Sequence, residues 1–148
     1  MSKQVPVLAA DELERLLSAE FPRAFHPEEG FSILDVWHGG ARVRRGFKTS
    51  SLRPGGTISG PTMMGLADIA AYTAILASIG WVPLAVTTNL NINFLRRPGP
   101  GALVAEARLL KLGQRLAVCD VAISSDGEED LVAHATSTYS IPPQPGER

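Results

Sequence analysis

The stretch RPGGTISGPTMMGLADIAAYTAILASIG, residues 53–80, decides the fold. From about Pro61 to Ile79 it reads as a helix. Pro61 suits the first helical position, where its missing N–H costs nothing, and Gly80 supplies the usual stop. Met63, Met64, Leu66, Ile69, Ala70, Ala74, Ile75 and Leu76 spread around every side of it. A helix apolar all round is normally enclosed by protein. The run Met63–Ile79 approaches membrane-spanning length, but Asp68, Thr73 and Ser78 interrupt it and strand-like segments follow closely. A buried core helix is the better reading.

Between Arg53 and Arg96 the chain carries one charged residue, Asp68, two turns into this apolar helix. Aspartate is a mediocre helix former, and a buried carboxylate without partners is costly. Either it fixes the core through backbone donors or a distant arginine, or it is a catalytic acid beside a pocket. The two readings stand near even on the helix alone. The preceding loop favours the second. It sets Gly60 at a helix N-terminus, where outward N–H groups suit a developing oxyanion. Gly55, Gly56 and Gly60 also let a ligand approach the backbone closely.

Outward from the helix, Phe31–His38 and Ala41–Thr49 read as a hairpin turning at Gly39-Gly40. Its second arm carries Arg42, Arg44, Arg45 and Lys48, a solvated strand face in preference to an anion site. After the helix come strands at 85–96, 103–112, 115–125 and 131–141, the middle two forming a hairpin across Gly113-Gln114. Residues 8–21 read as an amphipathic helix through Leu13, Leu16, Leu17 and Phe21, with Asp11 and Glu14 as a capping box. Pro22 and Pro27 end it, and nothing gives it chemistry. The whole, 1–148, reads as a single domain: an N-terminal helix and connection (1–30), a core (31–141) and a flexible proline-rich tail (142–148). This is an α+β layer arrangement, a sheet wrapping one helix. The sheet's other face and edge need cover, so oligomerisation is expected.

Composition narrows the function classes. The chain has 148 residues, 45% hydrophobic and 20% charged, with a net charge of -1. That balance offers no footprint for nucleic acid. The single cysteine, Cys119, excludes an internal disulfide and a multi-cysteine metal site and suits a reducing cytoplasm. MSKQVPVL lacks an apolar core of signal-peptide length. His26, His38 and His134 fall in different segments without ligand spacing, so no metal is expected. The nucleophile-elbow, Rossmann and Walker patterns are absent. Cys119, mid-strand, reads as inert core.

The run Gly56-Thr57-Ile58-Ser59-Gly60-Pro61-Thr62-Met63-Met64-Gly65-Leu66-Ala67-Asp68 resembles the hotdog-fold acyl-CoA thioesterases of the phenylacetate-pathway (PaaI-like) type. Those carry Gly-Thr-x-His-Gly-Gly, four residues, then Leu-Ala-Asp. Ala85-Val-Thr-Thr-Asn-Leu-Asn-Ile-Asn-Phe-Leu-Arg-Arg-Pro98 is similar to the strand after their central helix. The resemblance covers 53–98 closely and 31–52 and 99–141 more loosely. It implies a hotdog fold, an antiparallel sheet around one long central helix, to which this chain adds the N-terminal helix.

The resemblance further implies hydrolysis of acyl-CoA thioesters in the cytoplasm by a homodimer or homotetramer. Coenzyme A enters only as part of the substrate, with no other cofactor, no nucleic acid and no membrane. The catalytic acid falls on Asp68, the oxyanion N–H on Gly60, and a strand hydroxyl on Thr87, supplied by a neighbouring subunit. Three departures stand out: Ser59 replaces the motif histidine, Pro61 the second glycine, and Arg53 a polar amide. Arg53 could pair with Asp68 or grip an anion, and Ser59 can donate one hydrogen bond. With Pro61, Met63, Met64, Tyr72 and Asn89 they make the expected substrate-binding set. Trp81 and Pro83 border an acyl pocket, and Arg96, Arg97 and Arg115 are candidates for the coenzyme A nucleotide. The departures also motivate a non-catalytic acyl-CoA or small-acid binding protein. A dehydratase would need His38 or His134 beside Asp68.

Overall fold

The computed structural model describes residues 4–25 and 30–146. Helix α3, Gly60–Ile79, is its axis. Ser59 is the N-cap: its hydroxyl lies 2.8 Å from that of Thr62 and accepts from the Thr62 N–H at 3.4 Å. Gly60 therefore takes the first helical position and Pro61 the second. Gly80, at φ 100°, ends the helix while its N–H reaches Leu76 O. From Ile69 to Ser78 every residue is buried. The two hydroxyls in that run are satisfied inside the helix, Thr73 donating to Ile69 O and Ser78 to Ala74 O, each at 2.8 Å. The helix is long and apolar enough to cross a membrane, yet 67% of that window is buried within the fold.

Six antiparallel strands wrap it: β1 Phe31–Trp37, β2 Gly40–Arg45, β3 Val86–Phe94, β4 Leu103–Leu112, β5 Leu116–Ser125 and β6 Leu131–Ser140. Their order is β1-β2-β4-β5-β6-β3. Side chains alternate across the sheet. Ala105, Ala107, Cys119, Val121, Ile123, Ala133 and Ala135 are buried in the core, and small residues let the helix sit close. Glu106, Arg108, Asp120, His134 and Thr136 take the other face. Strand β3 follows the helix in sequence but lies at the sheet's far edge, paired only with β6. The first hairpin turns one residue earlier than expected. Trp37 pairs with Gly40, so the turn is His38-Gly39, with Gly39 at φ 101°. The Gly39 N–H donates to Ser78 Oγ at 2.8 Å, tying this turn to the end of α3.

Helix α1, Ala10–Glu20, buries Leu13 and Leu17, and a short helix α2, Pro22–Phe25, follows. The expected capping box is not formed: the N-cap is Ala9 and no side chain caps it. Glu14 instead accepts the Ile33 N–H at 3.0 Å, pinning α1 to β1. Ahead of α1, the Val7 N–H donates to Ala77 O at 2.7 Å. These contacts enclose the C-terminal half of α3, which the sheet alone leaves open. His26 and Pro27 lie outside the described residues.

Candidate functional site

Asp68 is partly buried, on the face of α3 that turns toward the ends of β3 and β6. Thr87 and Tyr139 sit directly opposite one another on those strands. Both hydroxyls therefore converge on one atom. Thr87 Oγ1 donates to Asp68 Oδ1 at 2.6 Å, and Tyr139 Oη donates to the same oxygen at 2.7 Å. Tyr139 Oη also lies 3.0 Å from the Asp68 backbone oxygen. Among the described residues no donor reaches Oδ2. The expectation that a neighbouring subunit supplies Thr87 is corrected: the contact forms within one chain, because the β3–β6 register brings Thr87 under the helix.

Asp68 lines a cavity of about 530 Å³. Tyr72, Trp81, Pro83, Leu84 and Val86 form its apolar wall, and Phe21 at the end of α1 adds to it. The Phe21 ring meets Tyr72 edge-on at 6.5 Å, and Tyr72 stacks on Tyr139 at 6.0 Å. Tyr72 Oη donates to Pro83 O at 2.8 Å, which anchors the loop after α3. Burial pushes the Tyr72 phenol up. Burial, and next the Asp68 charge, hold the Tyr139 phenol far above its ordinary value. Both stay protonated at any working pH. The N-terminal helix, to which the sequence gives no chemistry, thus walls the cavity that holds the acid. The signal was Phe21, a large apolar residue at the helix terminus that stays 47% exposed.

A second cavity, about 660 Å³, opens at the N-terminus of α3. Gly60, Pro61, Met63 and Phe94 line it with Arg53, Arg96 and Arg97. Three guanidinium groups and a helix N-terminus make it an anion-attracting site. Gly60 and Asp68 are thus in different cavities of one chain; eight residues of helix separate them by about 12 Å. Arg53 lines the Gly60 cavity and makes no ion pair with Asp68. Ser59 is engaged as the helix cap. Met64 and Asn89 are exposed and line neither cavity. Arg115 lies in the β4–β5 turn, at the other end of the sheet from Arg96 and Arg97.

Several other polar residues have structural partners. Asp120 bridges Arg108, at 2.8 Å, and His134 on the outer face. Burial raises Asp120, but these two partners outweigh it and leave its carboxyl below the usual range. His38 is exposed in its turn. Neither histidine stands beside Asp68, so nothing supports a dehydratase. Arg44 pairs with Asp126 at 2.9 Å. Arg45 lies over the Phe31 ring and donates to Ser51 Oγ. Among the described residues no three His, Cys, Asp or Glu side chains could hold a metal.

Comparison with known proteins places this geometry. The model of the Thioesterase superfamily matches residues 55–132, from the loop before α3 to the start of β6. A provisionally assigned thioesterase from a Silicibacter species is 45% identical, with a TM-score of 0.84 over 93% of this chain and 94% of that one. The phenylacetic acid degradation protein PaaI of Thermus thermophilus is 28% identical, with a TM-score of 0.69 over 80% of this chain and 98% of its own. A provisionally assigned esterase of Saccharolobus solfataricus is 29% identical over 136 residues, 92% of this chain and 87% of that one.

Proposed function

This chain belongs to the Thioesterase superfamily, with the hotdog fold, and from that premise we propose that it hydrolyses acyl-CoA thioesters through Asp68. The observation that carries the reading is the carboxylate itself. One oxygen is tied by two hydroxyls, and the other takes no bond from a described residue, at the wall of an apolar cavity. Oδ2 takes the proton of a water whose oxygen attacks the thioester carbonyl carbon, or attacks that carbon directly. The carbonyl oxygen gains charge opposite the Gly60 N–H. When the intermediate collapses the C–S bond breaks. The coenzyme A sulfur leaves as thiolate; water attack gives the free acid directly, whereas carboxylate attack leaves an acyl–Asp68 anhydride that a water then cleaves to the acid and the restored Asp68 carboxylate. Tyr72, Trp81, Pro83 and Phe21 surround the acyl group. Arg96 and Arg97, with Arg53, face the phosphates of coenzyme A.

Gly60 and Asp68 can act on one carbonyl only if two copies of the chain meet. Strand β3 is an unpaired edge of nine residues, Val86–Phe94, about 30 Å long. Pairing two such edges antiparallel sets the Phe94 end of one copy beside the Val86 end of the other. The Gly60 cavity of one copy then faces the Asp68 cavity of its partner. A homodimer with two shared sites is therefore part of the proposal. Coenzyme A thioesters and an unpaired Cys119 suit the cytoplasm.

The test is thiol release from short, medium, branched and aryl-acetyl CoA thioesters by wild type and Asp68→Asn. At the Oδ1 position an amide oxygen still accepts both hydroxyl protons, so the variant stays folded. Its NH2 group cannot take a proton from water, and turnover falls about 10²–10⁴-fold. A single turnover in H2¹⁸O separates water attack from carboxylate attack. Saturable binding without release from any thioester, unchanged by Asp68→Asn, would replace hydrolysis by a binding role.

A further inference from the structure

Tyr139 lies seven residues beyond the segment that matches the family model, yet it touches the acid more closely than any residue but Thr87. Its ring is 3% exposed. It is fixed on three sides: β6 pairs with β3 and β5 there, Tyr72 stacks on its face, and Asp68 receives its hydroxyl. A phenol has one proton to give. The shorter of its two contacts is the carboxylate oxygen at 2.7 Å; the other is a backbone oxygen at 3.0 Å.

A carboxylate turns about a broad, roughly two-fold torsion. With neither oxygen held, proton-accepting atom and direction would interchange. Two donors on Oδ1 remove that freedom and leave Oδ2 toward the cavity. Thr87 alone is a weaker restraint, because it stands on an exposed edge strand next to a bulge between Thr87 and Asn89. Tyr139 stands inside the sheet. Because the phenol keeps its proton at working pH, it is a donor throughout and cannot itself serve as the base.

We infer that Tyr139 is a positioning residue for the proposed hydrolysis, holding Asp68 Oδ1 so that Oδ2 is the atom that reacts. The inference rests on the thioesterase reading for its kinetic consequence, but the hold on the carboxylate can be observed without turnover.

Tyr139→Phe keeps the ring, its stacking on Tyr72 and its burial, and removes only the hydroxyl. On the best acyl-CoA substrate kcat falls about ten- to a hundredfold, the scale of lost orientation, while KM stays within about twofold. A crystal structure of Tyr139→Phe shows the Asp68 carboxylate in more than one orientation. Wild-type kcat in Tyr139→Phe, with Asp68→Asn still inactive, overturns the inference and spares the hydrolase reading. If wild type itself releases no thiol, the hydrolase reading fails. An unchanged, single carboxylate orientation in the Tyr139→Phe crystal then overturns the hold as well.

Discussion

Gly40→Ala tests the packing of the first hairpin. Gly40 opens β2, opposite Trp37 on β1 and Arg108 on β4. An added Cβ there would fall within 3.0 Å of three indole atoms of Trp37, a separation real methyl groups do not reach. The Trp37 indole must swing away from the strand and lose its seat on the glycine. Overpacking of this kind costs about 1–3 kcal/mol. Replacing a strand glycine by alanine returns about 0.5–1 kcal/mol of chain entropy. Taken at mid-range the net loss is about 1 kcal/mol, a fall of about 3 °C in Tm for a chain of this length. Urea and thermal unfolding of wild type, Gly40→Ala, Trp37→Ala and the double variant close a cycle. With the indole gone, Gly40→Ala should be neutral or stabilising by up to about 1 kcal/mol. An equal loss in both backgrounds would refute the clash and put the glycine requirement in the backbone.

Two further variants or probes test the interior. Ser137 Oγ is buried on β6 without a hydrogen-bond partner among the described residues, so Ser137→Ala should raise stability by about 1 kcal/mol; a lower urea midpoint would mean that the hydroxyl has a partner. Burial, with a smaller contribution from Asp120, pushes the Cys119 thiol up to about 12. At pH 8 an aromatic disulfide reagent should leave it unmodified until urea unfolds the chain, and labelling of the folded protein within minutes would show that the sheet opens there.

Asp68 was legible because it is the one charge in a 42-residue interval, and burial makes such an exception informative. The central helix and both hairpins were legible because their patterns are local. Tyr139 was not. On an alternating strand a tyrosine reads as core, and only the pairing with Thr87, 52 positions earlier, brings it to the acid. The β3–β6 pairing has no local signature at all. Glu14 resembled a cap because of its spacing from Asp11, while its partner, Ile33, lies 19 residues away. The distance between Gly60 and Asp68 was present in the sequence from the outset. Eight residues at about 1.5 Å each already place them too far apart to share one carbonyl within a chain.

The position of β3 also orders events during synthesis. After the helix emerges, β3 has no neighbour to pair with until residues 131–140 follow. The β4–β5 hairpin can close in the meantime, but the edge strand waits. Loop closure of this span is slow relative to a hairpin. The carboxylate acquires Thr87 and Tyr139 in the same late step, because both come with that pairing. A nascent chain that has not reached β6 therefore has no formed acid site. A chain cut before β6 loses Tyr139 outright and, with it, the pairing that holds Thr87 in place, so truncation should remove the acid's alignment and the surface for a second copy in one stroke.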